Sequence, residues 1–322
     1  FPTRQNNGTT EILTNAGSAI TVLDPKTAAG QAQWSAASLL DSATWNSRII
    51  YTRPKGTLAV PEPGLVSFTD EAGTGKFDSF KGSMDGTLSD SQKQALVNWM
   101  RGADNGADAS RTPPFSNRAN LMGDIINSAP AVVEYDFRTY FPPAGGTRNV
   151  HYRLIFVGTN SGFLHAFAET SWDVETPSGS GIYLTHGSAR ELWSFIPTDL
   201  LPYLGSLTIK TNPHRITVDG SPVVYHQDLP SNTSTLGRTP LSGNGKVDNG
   251  EKAYVIFGLR KGGRSYYALD VSEPLNPKIA WSLRPDEAAN IPSSRLLSSS
   301  VDIATTRTGV GDMAYATAMP AG

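Results

Sequence analysis

The loop at residues 242–251 (SGNGKVDNGE) is the segment of this sequence whose spacing comes nearest to a metal site. Oxygen-bearing side chains alternate with glycines and a carboxylate ends the loop, as in calcium loops, which supply roughly six to eight oxygen ligands. However, Ser242 takes the place of the first aspartate and Lys246 stands where an acidic ligand is expected. The pattern therefore favours a Gly/Asn-rich loop without metal. If calcium does bind, the candidate ligands are Asn244, Asp248 and Glu251.

The histidines and serines show no spacing typical of a catalytic or zinc site. None of the five histidines has a partner at the spacing of paired metal ligands. His165 lies in an alternating strand, which predicts a hydrogen-bonded core residue rather than a ligand. We expect His214, which precedes a strand, to bond a backbone carbonyl. Ser188, His214 and Asp219 form no nucleophilic set, since no Gly-X-Ser-X-Gly elbow precedes a helix.

The glycine-rich segment 260–264 (RKGGR) invites comparison with a phosphate cradle. Such a cradle needs its glycines to lead into a helix N-terminus, whereas this segment joins two β-rich runs. We therefore predict a hairpin turn in which glycines supply positive φ angles. The cations of this turn could still face an acidic partner surface.

Composition excludes several classes of function. The chain of 322 residues has 27 basic and 29 acidic side chains, so it carries no electrostatic footprint for nucleic acid or anionic membrane. Cysteine is absent, which excludes disulfides, thiolate catalysis and Cys-ligated metals. No apolar run approaches the roughly 20 residues of a membrane-spanning helix. Because the chain starts at Phe1 without a leader pattern, we expect an internal fragment of a longer protein.

The first third of the chain predicts helices and short strands, and the rest predicts strands. A helix fits residues 33–46, and a stronger one runs from Ser89, which can cap it, to Arg101. Residues 103–120 predict a linker or surface loop. We therefore expect an irregular α/β segment at 1–117 that leads into a β array at 118–322.

A composite pattern of four β-rich runs occurs twice in the second part. Its first copy holds NSAPAVV (127–133), LIFVG (154–158), FLHAF (163–167) and ELWSF (191–195). Its second copy holds DGSPVV (219–224), YVIFG (254–258), YYALD (266–270) and IAWSL (279–283). Repeated units that cannot bury both faces alone must stack on neighbours. Four strands per unit, with a tryptophan in the last, are typical of a propeller blade.

The repeats also predict where the binding loops and the unit contacts lie. Insertions at 169–190 and 226–252 interrupt the two copies, and propellers place such loops at the rims of the disc. Trp193 and Trp281 hold equivalent positions, so we expect both to pack between units. A third start near residue 296 indicates an array that continues beyond Gly322.

Several of these motifs together resemble the PilC/PilY-type proteins of type IV pili. The matching segments are 157–167, 191–202, 214–224 and 258–270, and 96–102 with 121–130 is similar to the lead-in to the propeller in that family. The resemblance covers roughly residues 90–285. It implies a mainly β fold, a modified β-propeller with quinoprotein-like four-stranded blades and helices in its N-terminal part.

The resemblance also implies a function. Members of this family are exported, non-catalytic pilus biogenesis factors and adhesins that oppose pilus retraction and attach to surfaces. It implies minor pilins, the pilus tip and a host or abiotic surface as partners, and a place at the pilus tip, outer membrane surface or periplasm of a Gram-negative bacterium. No Arg-Gly-Asp motif is present. The alternatives are an exported propeller of unrelated binding function, or a quinoprotein dehydrogenase, whose vicinal cysteine pair this chain lacks.

Overall fold

The computed structural model describes residues 35–55, 64–135, 153–168, 189–209, 214–228, 245–247 and 251–284 with their side chains, and seven further strands as backbone. The described strands are β1 (Thr3–Asn6), β2 (Thr9–Leu13), β3 (Ala19–Leu23), β4 (Ile50–Thr52), β5 (Val66–Ser67), β6 (Ala131–Glu134), β7 (Arg138–Tyr140), β8 (Arg148–Val150), β9 (Arg153–Gly158), β10 (Leu164–Ala168), β11 (Ser171–Glu175), β12 (Ile182–His186), β13 (Arg190–Ile196), β14 (Val223–Gln227), β15 (Lys252–Gly258), β16 (Tyr266–Asp270) and β17 (Lys278–Leu283). The described α-helices are α1 (Ala36–Ser42), α2 (Phe77–Phe80) and α3 (Asp90–Arg101), and 3-10 helices span Lys81–Ser83, Thr198–Thr208 and Arg260–Gly262. The predicted mainly β class is confirmed.

Helix α3 has the ends that its sequence predicts. The Ser89 hydroxyl accepts a hydrogen bond from the Gln92 backbone, and the Gln92 side chain bonds back to the Ser89 backbone, which completes a capping box. Gly102 ends the helix in the left-handed region, with φ 116°. Helix α1 is shorter than the predicted 33–46, because Ala43 turns extended with ψ 140°.

Both sequence repeats fold into antiparallel four-stranded sheets in the predicted strand order. The second repeat forms the sheet β14-β15-β16-β17, and the first forms β6-β9-β10-β13. In the first sheet two strands from the N-terminal segment are added, giving the order β5-β4-β13-β10-β9-β6. Strand β4 runs parallel to β13, pairing Ile50 with Ser194. The predicted segments on either side of residue 117 therefore share one sheet, although the division into domains there stays a prediction.

The insertion at 169–190 holds strands where the sequence analysis expected a loop. Strands β11 and β12 pair within it, and β11 also pairs with β8, so a separate sheet forms in the order β12-β11-β8-β7. The Ser/Gly-rich composition is confined to residues 176–181 between these strands, and the flanking runs are β-prone. A further three-stranded sheet, β1-β2-β3, lies near the start of the chain.

The two repeat sheets stack face to face. One face of the first sheet presents Phe156, Trp193 and Phe195, and Phe195 contacts Phe257 and Tyr267 of the second sheet with ring centroids 6.1 and 5.5 Å apart. Trp193 is fully buried, and its indole Nε1 donates a hydrogen bond to the Pro274 carbonyl at 2.9 Å. Trp193 thus packs between the units, as predicted.

The outer faces of this stack differ in how they are covered. The far face of the first sheet is covered by α1 and by the 118–124 segment, through Leu40 and Leu121 against Val157 and Phe167. The far face of the second sheet presents Trp281, which is half-buried, beside other partly exposed side chains. These are Tyr225, Tyr254, Ile256, Tyr266 and Leu283. In the part of the chain that the structure describes, the sheets are open and no closed propeller is present, so the propeller stays a prediction.

Candidate functional site

A cleft of about 280 Å³ lies beside the end of α3 and is a candidate ligand site. Its walls come from α3, from residues 118–124, from the β9–β10 turn and from the 3-10 helix Thr198–Thr208 with the segment after it. The sequence analysis did not predict this cleft, because its lining residues lie far apart along the chain. We call it the α3 cleft.

The β9–β10 turn forms one wall and is fixed by backbone contacts. Thr159 donates its N–H to the Phe163 carbonyl at 2.9 Å, and Gly162 takes a φ of 96°, which favours glycine. The Asn160 N–H donates to the Asp124 carbonyl at 3.0 Å. A side chain on Gly123 would lie 2.3 Å from the Ser161 nitrogen, so only glycine permits this approach. Gly123 and Gly162 thus shape the wall.

Arg118 supplies positive charge to the α3 cleft. Its guanidinium carbon lies 3.9 Å from the centre of the Trp99 ring, a cation–π contact, and its Nη2 donates to the Trp99 carbonyl at 3.2 Å. Burial lowers the pKa of Arg118 to about 10, and the nearby charge of Arg48 acts in the same direction. Within the described residues it forms no ion pair with a carboxylate.

A second cation and an acid–base pair lie at the mouth of the α3 cleft. Arg215 is exposed and stacks on Tyr203, with its guanidinium carbon 4.8 Å from the ring centre. His214 bonds the Asp124 carboxylate at 2.8 Å, not a backbone carbonyl as predicted, because the chain passes close to the 118–124 segment. Burial by itself raises the pKa of Asp124, but hydrogen bonds from Asn160 and His214 outweigh it and lower the pKa.

A buried polar network lies behind the β9–β10 turn. Arg48 donates to both oxygens of Glu191 at 2.7 and 3.0 Å, and His165 Nδ1 lies 2.7 Å from the same carboxylate. His165 Nε2 lies 3.2 Å from the Thr159 hydroxyl, which in turn bonds Ser161 at 2.8 Å. His165 and Thr159 are almost fully buried, so no substrate reaches them. His165 is the hydrogen-bonded core residue that the sequence predicted.

The pKa values of Glu191 and His165 are both lowered, and together they fix the protonation of this network. Burial by itself raises the pKa of Glu191, but the charge of Arg48 and hydrogen bonds from His165 and Arg48 outweigh it and lower the pKa to about 2. Burial lowers the pKa of His165, against the attraction of Glu191. Glu191 is therefore ionised, and neutral His165 donates from Nδ1 and accepts at Nε2 from Thr159. The sequence analysis missed Arg48, because it lies 143 residues from its partner and no local motif connects the two.

The predicted calcium loop is described only in part. Asn244 and Asp248 lie outside the described residues. Glu251 is buried, and its carboxylate accepts a hydrogen bond from His226 Nε2 at 2.9 Å. Lys246 forms an ion pair with Glu134 at 3.2 Å. Among the residues that the structure describes, no group of three or more metal-binding side chains occurs.

The other motifs that the sequence analysis singled out have structural roles. The β15–β16 connection is a 3-10 turn in which the positive φ, 50°, belongs to Arg260 and not to a glycine, which corrects the prediction. Gly262 is required for space, since a side chain there would lie 1.7 Å from the Thr217 carbonyl oxygen. Asp219 is buried, and both of its carboxylate oxygens accept hydrogen bonds from the Asn127 amide.

The segments that precede β6 and β14 contact each other through residues at equivalent positions of the two repeats. Asn127 and Asp219 occupy the same position in the two sequence repeats, and the amide donates to the carboxylate at 2.9 and 3.0 Å. Ser221 accepts the Ala129 N–H at 2.9 Å in the same way. Strands β6 and β14 follow these segments and lie next to each other. The fold and site thus define a class: a mainly β protein of stacked four-stranded repeats with a cleft at one side.

Comparison with known proteins shows similarity to proteins of type IV pili. The type IV pilus biogenesis factor PilY1 of Pseudomonas aeruginosa (strain PAK) is 28% identical over 220 residues, or 63% of this chain and 15% of that protein. PilY1 of P. aeruginosa (strain UCBPP-PA14) is 26% identical over 260 residues, 77% of this chain and 19% of that protein. A PilY1 homolog of Xylella fastidiosa (strain Temecula1) is 28% identical over 196 residues, 56% of this chain and 11% of that protein.

The resemblance to the PilC/PilY-type family of type IV pilus proteins is therefore confirmed, at modest identity. The chain spans less than a fifth of the length of these relatives. No family model matches the chain. No solved structure matches it either. None of the helices that the structure describes is long and apolar enough to cross a bilayer.

Proposed function

We propose that this chain is the repeat-bearing part of a non-catalytic type IV pilus biogenesis factor. The observation that carries the proposal is the similarity to PilY1 proteins over 56–77% of the chain. The rigid stack of two repeat sheets suits a scaffold, because each sheet buries its apolar face on the next. The network around His165 supports a structural role, since its titratable groups are buried and mutually bonded.

The stack supports a propeller as the architecture of the intact protein. The face of the first sheet that bears Trp193 is covered by the second sheet, whereas the equivalent face with Trp281 stays partly exposed. Partly exposed Tyr225, Tyr266 and Leu283 extend this face. A further four-stranded unit packed there would bury the same positions as in the first seam. We place the protein outside the cytoplasm, at the pilus tip, the outer membrane surface or the periplasm of a Gram-negative bacterium.

The loops that interrupt the repeats would contact the partners, which are minor pilins and a host or abiotic surface. In this role the factor would support pilus assembly, oppose retraction and attach the pilus, with twitching motility depending on it. Of the two insertions, the loop between β14 and β15 is easier to test by replacement. Its ends are fixed by the hydrogen bond between His226 and Glu251, so residues 231–244 can be exchanged without touching that contact.

Co-purification with minor pilins tests this proposal. Replacing residues 231–244 by a Gly/Ser linker of equal length should abolish capture of the pilins, because it removes the loop side chains and leaves β14 and β15 paired. A matched control replaces the exposed turn 108–112, which lies outside both insertions. Capture that persists without the 231–244 loop would refute the loop assignment, and an intact chain that captures no minor pilin would refute the pilus assignment.

Calcium in the loop 242–251 is also a proposal, supported by the spacing of Asn244, Asp248 and Glu251. Glu251 already accepts a hydrogen bond from His226, so binding through it requires rearrangement of that pair. Calorimetric titration with calcium should therefore show weak binding that is lost in Asp248→Asn. Equal binding by the variant would exclude this loop as the site.

A further inference from the structure

We propose that the α3 cleft binds an acidic peptide segment in which a carboxylate lies next to large apolar side chains. The inference stands on the cleft itself and does not depend on the pilus assignment. It names a binding site separate from the insertion loops. Three observations carry it: two arginines without an ion-pair partner among the described residues, an apolar floor, and exposed apolar side chains near the mouth.

The positive charge comes from two arginines that form no ion pair with a carboxylate among the described residues. Asp41 and Asp104 attract Arg118, but neither is in ion-pair contact with it. Arg118 is stacked on Trp99 and donates one side-chain hydrogen bond, to a backbone carbonyl. Arg215 lies over Tyr203 at the mouth. Guanidinium groups held flat on aromatic rings are pre-organised, and each keeps N–H donors for a planar carboxylate. A partly buried guanidinium gains the most from such a partner, because burial has removed its water.

The acidic side chain that lines the cleft does not neutralise these arginines. Asp124 accepts hydrogen bonds from Asn160 at 3.0 Å and from His214 at 2.8 Å, so its charge is engaged by neighbours. Counting Arg118, Arg215 and Asp124, the lining keeps a net positive charge even with His214 neutral. An anion is therefore attracted into the cleft.

The floor of the cleft is apolar and its size suits a short segment. Met100, Leu121 and Phe163 are buried and line it. A volume of about 280 Å³ lies at the lower end of the range for ligand pockets, which is enough for a few side chains. Trp, Tyr and Arg, the residues that dominate binding energy in protein interfaces, all line or flank the same cleft.

Exposed apolar side chains beyond the cleft indicate a peptide rather than a small acid. Ile209 and Tyr203 are 50% and 53% exposed on one side of the mouth. Ile125 and Ile126 directly follow Asp124 in the chain and are 46% and 57% exposed. A small acid would fill only the cleft, whereas an extended segment would also cover these side chains.

Binding of blocked peptides to the 322-residue chain tests the proposal. The probes are acetyl-Phe-Glu-Phe-amide, its glutamine counterpart, and free phenylpropionate. Fluorine NMR of the chain labelled with fluorotryptophan follows the Trp99 resonance, assigned by its loss in Trp99→Phe. We expect the glutamate peptide to shift this resonance and to bind roughly tenfold or more tightly than the glutamine peptide, since a charge-assisted hydrogen bond is lost.

Variants of the cationic side chains give the decisive comparison. Arg215→Gln and Arg118→Gln should each weaken binding of the glutamate peptide by about tenfold. Arg111→Gln, an exposed arginine outside the cleft, should leave it unchanged. Arg118 also contacts Trp99, so a melting curve is needed to check that the Arg118→Gln variant is folded. If that variant is unfolded, the comparison relies on Arg215→Gln. Equal binding of the glutamate and glutamine peptides, or no effect of Arg215→Gln, would overturn the proposal. If phenylpropionate binds as tightly as the glutamate peptide, the assignment of a peptide ligand would be overturned.

Discussion

Replacing Glu191 by glutamine removes the carboxylate on which two buried groups depend. Arg48 donates two hydrogen bonds to it and His165 a third, and all three side chains are buried. Arg48 further donates to the carbonyls of Met100 and Arg101, at 3.5 and 3.2 Å. The network thus ties the N-terminal segment to the first repeat sheet.

Two independent estimates give a similar destabilisation for Glu191→Gln. Breaking a buried ion pair by removing one partner costs about 3–5 kcal/mol, because the remaining charge stays buried without compensation. The fall in the pKa of Glu191 from 4.5 to about 2 corresponds to roughly 3 kcal/mol of preference for the ionised form in the folded state. We therefore expect the free energy of unfolding to drop by about 3 kcal/mol at neutral pH.

Glu191 and His165 affect the stability of the fold in different pH ranges. The folded pKa of Glu191 is lowered, so its contribution is fully present above 4.5 and is lost as the pH falls toward 2. The pKa of His165 is also lowered in the folded chain, from 6.5. As the pH falls below 6.5, the histidine becomes protonated more readily in the unfolded chain, so stability begins to decrease at a higher pH than it does for Glu191. Urea unfolding measured between pH 7 and pH 3 should show both effects in the parent, and in Glu191→Gln the part of the acid-induced loss that Glu191 contributes should be missing.

An exposed ion pair and a double variant serve as controls. Glu71→Gln removes a carboxylate from the exposed pair with Lys76, and we expect no measurable change in stability. Replacing Arg48 and Glu191 together by methionine should recover most of the loss, because neither charge of the pair is then left buried without its partner. A loss under about 1 kcal/mol for Glu191→Gln, or an unchanged acid limb, would contradict this account of the network.

Three further substitutions test the packing. Trp193→Ala should lower the free energy of unfolding by about 3–5 kcal/mol in denaturant titrations, and half-buried Trp281→Ala clearly less; equal losses would contradict the difference in burial. Gly262→Ala places a methyl group against a backbone carbonyl and should cost about 1–3 kcal/mol or more, whereas Gly82→Ala meets open space and should leave the melting temperature nearly unchanged. Ser89→Ala removes the cap of α3 and should cost about 1 kcal/mol, with reduced helical signal in circular dichroism; no loss would show that the cap is replaceable.

The repeats and α3 could be predicted from the sequence because their signals are local. LIFVG and YVIFG are short, continuous runs of β-prone apolar residues that end in glycine, so each indicates a buried strand followed by a turn. Ser89 and Gly102 mark the two ends of α3 by capping chemistry that needs only neighbouring residues. Similar local reasoning placed Trp193 between the sheets, since a large apolar ring in a repeated strand must be covered by another unit.

The insertion strands and the β15–β16 turn show where local composition misleads. Glycine and serine at 176–181 made the whole insertion resemble a loop, although only the centre of a hairpin has that composition. At the turn, the glycines suggested positive φ angles, but the structure places that angle at Arg260. Gly262 is needed because the irregular segment at Thr217 passes against it. Steric contact between distant segments cannot be deduced from a motif.

What the amino-acid sequence determined by itself is the repeat, its strand order and the family that it resembles, because these follow from short-range patterns. The tertiary structure alone decided the addition of β4 to the first sheet, the pairing of Arg48 with Glu191 and the α3 cleft. Each of these brings together side chains that are separated by tens of residues or more. Such contacts depend on how whole sheets and helices pack, and packing is a property of the folded chain as a whole.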